Sequence, residues 1–164
     1  MCTVFKKGYG GFLLFELSLK VLFKGWAEAT LSDGKKDVKI FASRLSDGLW
    51  ELIITVWKII EVENNAICSW QEEPGNYRWL FSRDGDQLKL RILWFEKAFC
   101  QLPDEKGKEV FVVSDDVVKM IRTIIRAYDK LLYEIGEKEY KENWTYDFPK
   151  VELERLRAAF QKLK

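Results

Sequence analysis

Tyr77-Arg78-Trp79-Leu80-Phe81-Ser82-Arg83-Asp84-Gly85-Asp86-Gln87-Leu88-Lys89-Leu90-Arg91-Ile92-Leu93-Trp94 is the stretch from which the fold can be read. Tyr77, Trp79 and Phe81 alternate with Arg78, Leu80 and Ser82. Leu88, Leu90, Ile92 and Trp94 alternate with Lys89, Arg91 and Leu93. A period of two is the signature of a strand with one face buried. Between the runs lies Arg83-Asp84-Gly85-Asp86, whose Asp-Gly pair tolerates the positive φ of a tight turn. The reading is therefore an antiparallel hairpin closed by a type I′ turn, with Gly85 at positive φ. One face goes to the core. The other carries Arg78, Lys89 and Arg91, with Leu80 and Leu93 between them.

Working outward, Glu73-Pro74-Gly75-Asn76 is turn chemistry and Ala66–Glu72 is strand-like. Before it the period changes. Leu49, Leu52, Ile53, Val56, Trp57 and Ile60 form one helical face, with Ser46 or Asp47 as cap and Asn64-Asn65 as the end. The β-branched residues of this stretch pull the other way, toward strand. Further back, residues 12–24 read as one long strand, Trp26–Leu31 as a second, and Val38, Ile40 and Ala42 as a third. Ser32-Asp33-Gly34-Lys35 turns the chain between the last two.

Toward the C-terminus, Pro103 and the charged turn 104–108 precede a short strand, Val110–Val113. Ser114, Asp115 and Asp116 suit a helix N-terminus. Val117, Ile121, Ile124, Tyr128, Leu131 and Ile135 then form a helical stripe that Gly136 ends. A short helix over Lys138–Trp144 follows, and Pro149 precedes a last helix, Val151–Leu163. Hairpin-length connections make the sheet antiparallel. The expectation is an α+β protein: one sheet of six to seven strands, three to four helices on one face, and a single globular domain over residues 1–164.

The 164 residues are 48% hydrophobic and 32% charged, with a net charge of +1. That is the balance of a folded globule, and it argues against nucleic acid as a partner. Residues 119–164 are mildly basic and the rest mildly acidic, which is too weak a dipole to change this. Histidine is absent, so every His-dependent triad, Cys–His dyad and His-ligated metal site is excluded. The three cysteines, Cys2, Cys68 and Cys100, include no CxxC pair and read as reduced, inert thiols. The N-terminus imitates a signal peptide, but Glu16 and Lys20 break the apolar run. No run reaches the roughly 18 residues of a membrane span. The expected setting is cytoplasmic, without membrane contact.

Gly8-Tyr9-Gly10-Gly11 lacks the lysine and hydroxyl residue of a phosphate loop. Glu72-Glu73 and Asp84/Asp86 are carboxylate pairs on turns, where acids are ordinarily just solvated. No catalytic, metal or cofactor residues are assigned. Aromatics are frequent at 15%. Trp70, Tyr77, Trp79 and Trp94 lie near Arg78, Arg83 and Arg91, a mixture used at protein interfaces and single-stranded RNA platforms alike. The candidate partner-binding residues are Arg78, Leu80, Arg83, Lys89 and Arg91.

Ala42-Ser43-Arg44-Leu45-Ser46-Asp47, Glu72-Glu73-Pro74-Gly75-Asn76-Tyr77-Arg78-Trp79, Leu90-Arg91-Ile92-Leu93, Tyr140, Trp144 and Phe148-Pro149 carry a resemblance. Over residues 40–160 the chain resembles a widespread group of small bacterial α+β proteins, similar in size and layout to immunity proteins of toxin systems. The absence of a catalytic signature and the aromatic–arginine strands favour a non-catalytic protein that acts by occupying a partner protein's surface; the resemblance adds the immunity-like form and assigns no site residues. An RNA-binding or regulatory module ranks second and a carboxylate-dependent enzyme third.

Overall fold

The computed structural model describes residues 15–164. Residues 12–14 of the first expected strand, the glycines at 8, 10 and 11, and Cys2 lie outside them. The described chain is α+β. A first antiparallel sheet holds β1 (Glu16–Val21), β2 (Trp26–Ser32) and β3 (Asp37–Ser43) in sequence order. Helix α1 (Gly48–Glu61) follows. A second antiparallel sheet runs β4 (Asn65–Glu72), β5 (Gly75–Asp84), β6 (Gln87–Phe95) and β7 (Lys108–Asp116), again in sequence order. The chain ends in α2 (Val117–Trp144) and α3 (Lys150–Leu163).

The single sheet expected from sequence is thus two. Within each sheet every neighbour follows its predecessor by a turn or loop, and these strands pair. The one connection through a helix, α1, is where the ladder stops, although β3 and β4 still pack side by side. β1 is shorter than its alternation suggested. Lys24 (φ 52°) and Gly25 (φ 81°) turn the chain, and Leu22 N–H donates to Trp26 O, so Leu22–Gly25 forms the turn into β2. β7 is longer than Val110–Val113. It pairs along β6 from Trp94–Lys108 to Gln87–Asp116, with an irregularity at Ile92/Leu93.

The central hairpin forms as read, with Asp84 opposite Gln87. Gly85 has φ 59°, but Asp86 is not left-handed. Positive φ at the first central position alone belongs to a II′ turn rather than the I′ turn expected.

In α1 the helical period prevails over β-branched propensity. Leu49, Leu52, Ile53, Val56 and Ile59 are all buried, each contributing about 1.5–3 kcal/mol relative to an exposed side chain. Asp47 caps the helix by accepting from Trp50 N–H. Asp116 does the same for α2 through Lys119 N–H, while Ser114 and Asp115 stay in β7. Gly136 (φ 72°, ψ 166°) interrupts α2 where the sequence placed the end of its first segment. Helix α1 covers the β4 face that carries Trp70, whose Nε1 donates to Gly48 O at 2.9 Å. Helix α2 lies along β1, and α3 packs on both other helices. One continuous apolar core joins both sheets and all three helices.

Candidate functional site

Alternation sends Cys68, Trp70, Trp79, Phe81, Leu88, Leu90 and Ile92 into the core. The opposite face of the four-stranded sheet carries the residues between them. Register aligns one row straight across it: Ile67 opposite Leu80, Leu80 opposite Arg91, and Arg91 opposite Val112. At roughly 4.8 Å per strand, the row spans about 14 Å. Ile67 is 58% exposed and Val112 40%, with Leu80 half-buried between. Arg91 Nε donates to Glu109 Oε1 at 2.8 Å, so its charge is already compensated. The next row, Asn65–Ser82–Lys89–Ser114, is wholly exposed. Among the described residues Lys89 has no hydrogen-bond or ion-pair partner.

Toward the other end the face is closed. Residues 96–107 fold over it, and Arg78 fixes them. Its guanidinium donates to Asp104 Oδ1 (2.7 Å) and Cys100 O (3.1 Å) and lies 4.2 Å from the Phe95 ring centroid. Gln71 Oε1 accepts from Phe99 N–H at 2.6 Å. Gly107 packs so closely that an added Cβ would sit 2.7 Å from Phe95 Cζ. Arg78 and Leu93 were expected in solvent. Instead the Arg78 side chain is only 11% exposed and Leu93 1% exposed, because this segment covers them. Phe99 and Leu102 stand exposed on the covering segment.

Arg83 faces the other way. It alternates with Tyr77, Trp79 and Phe81, and its Nη1 donates to Ile59 O (3.4 Å) and its Nε to Gly85 O (3.0 Å). A cation at the C-terminus of α1 complements the helix dipole. Of the five candidates, Leu80, Lys89 and Arg91 therefore share an open surface. Arg78 is on the same face but beneath a loop, and Arg83 serves the helix end.

The aromatics divide similarly. Trp70 and Trp79 are fully buried against each other, ring centroids 4.9 Å apart. Tyr77 and Trp94 are half-buried and pair at 4.7 Å. Burial and the nearby Glu72 push the Tyr77 phenol up to about 12. The exposed row of the outer face holds Ile67, Leu80, Arg91 and Val112 and no aromatic side chain, so the aromatic platform considered from sequence does not form on it.

The carboxylate pairs lie at the two ends of β5. Asp84 and Asp86 are exposed at the hairpin end, and Glu73 is exposed beside Glu72, whose carboxyl is raised by partial burial. The other acids with raised carboxyls, Asp47 and Glu51, lie at the start of α1. Both are raised chiefly by burial. Asp47 is occupied by Trp50 N–H and by Trp144 Nε1 at 2.9 Å. Cys68 is a buried free thiol, pushed far up by the same cause. Among the described residues no three His, Cys, Asp or Glu side chains are grouped to hold a metal ion, and no helix is long and apolar enough to cross a membrane.

Sequence reasoning missed Ile67 and Val112, the ends of the exposed row, and Phe99 and Leu102. A signal existed for the first two. Each alternates with core residues on its own strand, Ala66 and Cys68 in one case, Phe111 and Val113 in the other. Phe99 and Leu102 belong to an aperiodic segment that offered none. No family model, curated protein or solved structure matches the chain.

Proposed function

We propose that this is a non-catalytic binding protein that docks a partner protein on the outer face of its four-stranded sheet. The observation that carries this is the Ile67–Leu80–Arg91–Val112 row, apolar at three of four positions and open to solvent. Apolar side chains around an arginine, rimmed by serines and Lys89, are the composition of an interface centre and its edge. Phe99 and Leu102 are further exposed apolar side chains, on the segment that covers the other end of this face. An inhibitor that works by occupying its partner, in the manner of immunity proteins, is the form the sequence resemblance suggests, and a cytoplasmic setting accompanies it.

The test is capture from an extract of the native host, comparing the wild type with Ile67→Ser/Leu80→Ser/Val112→Ser. These side chains are not part of the core cluster, so the variant is expected to fold, which its circular dichroism checks. Proteins recovered by the wild type and lost by the variant are the expected result. Recovery of the same proteins by both removes this face as the site.

A further inference from the structure

A second feature lies on the three-stranded sheet. A groove of about 380 Å³ runs between it and α2, within the size range of small-molecule sites. Among the described residues its floor is set by strand register. Glu16 stands opposite Ser32 and Ser32 opposite Asp37, with Ser18 opposite Thr30 beside them. Its wall is one stripe of α2, where Arg126 and Lys130 lie one turn apart next to Thr123. Two carboxylates therefore border one side and two cations the other. Among the described residues, none of these four charged groups has an ion-pair or hydrogen-bond partner. Charges of opposite sign that line one cleft without meeting leave room for a ligand that meets both.

We propose that this groove binds a small zwitterion, an amino acid or short peptide, with its ammonium group at Glu16 and Asp37 and its carboxylate at Arg126 and Lys130. The two acidic positions are two strand spacings apart, roughly 10 Å between Cα atoms, with the Ser32 hydroxyl between them. An ammonium's three donors suit two carboxylates and a hydroxyl. Ser32 Oγ accepts from Gly34 N–H at 3.1 Å and keeps further acceptor capacity. A simple anion would meet Glu16 and Asp37 as like charges, and a simple cation would meet Arg126 and Lys130 in the same way.

The test uses alanyl-alanine, its N-acetyl form and its C-terminal amide, followed through the backbone amide resonances of Ser18, Thr30, Ser32 and Thr123. The free dipeptide is expected to shift these saturably, and each blocked form to bind about tenfold more weakly. Arg126→Ala/Lys130→Ala is expected to abolish discrimination against the amide, and Glu16→Gln/Asp37→Asn discrimination against the acetyl form. Shifts elsewhere in the spectrum report that each variant is folded. No saturable shift with the free dipeptide, or equal binding of all three forms, overturns the proposal.

Discussion

Asp47 joins α1 to the far end of α2. It caps the first turn of α1, takes the indole N–H of Trp144, and is largely removed from water. Burial outweighs these hydrogen bonds, so its carboxyl titrates above the ordinary 3.8. Glu51, one turn along, is raised for the same reason and further by the charge of Asp47. The folded protein then holds protons that the unfolded chain has released. The contribution of these groups is fully present below their unfolded values and is lost as pH rises through the folded ones. Asp33 works in the opposite sense. Backbone N–H groups of Lys35 and Lys36 lower its carboxyl, so its contribution is lost on acidification, and its surface position keeps that contribution small. Asp47→Asn keeps an N-capping side chain and removes the titration. In urea denaturation from about pH 4 to about pH 8, the variant is expected to lose less stability with rising pH, by up to roughly 1.4 kcal/mol per unit for the missing proton. An unchanged pH slope would show that Asp47 ionises as it does in the unfolded chain.

At the scale of elements, the β5–β6 hairpin tests how turn chemistry sets register. Gly85 is left-handed, and nothing lies within 4 Å of where its Cβ would be. Gly85→Val therefore meets backbone strain alone, and a loss of about 1–3 kcal/mol is expected in thermal or urea unfolding. An unchanged melting temperature would contradict the turn geometry. The hairpin was legible because alternation and Asp-Gly agreed over its whole length. Alternation says which side of a strand a residue takes and nothing of what lies over that side. That is why Arg78 and Leu93 read as solvent-facing while residues 96–107 cover them. These residues have neither a period of two nor one of 3.6, and what orders them is contact with Arg78, Phe95 and Gln71. Arg78→Ala removes two charge-assisted hydrogen bonds and the stacked guanidinium, an expected cost of about 1.5–3 kcal/mol. Hydrogen exchange at residues 96–107 is expected to rise with β4 and β5 unchanged. Exchange that stays as in the wild type would mean that Arg78 does not hold the segment. The placement of Arg83 was available from its alternation with Tyr77, Trp79 and Phe81. Its role was not, since the sequence does not say that α1 ends within reach of it.

For the whole molecule, the helical faces and most strands follow from periodicity. The division into two sheets does not, because it depends on how α1 separates β3 from β4 in space. The helices cover the core side of the four-stranded sheet, and residues 96–107 cover one end of its outer side. What remains open is the Ile67–Leu80–Arg91–Val112 row and the polar row beside it. Neither half of that surface could be read as continuous from sequence, since its four strands contribute one residue each from positions up to 45 apart along the chain, Ile67 to Val112. The most direct measurement follows the methyl resonances of Ile67, Leu80 and Val112 as the captured partner is titrated into the methyl-labelled protein. The expected result is saturable shifts at all three, with the core methyls of Ile40 and Leu131 unmoved. Saturable shifts elsewhere on the surface, with these three unchanged, would contradict the assignment of this face as the docking site.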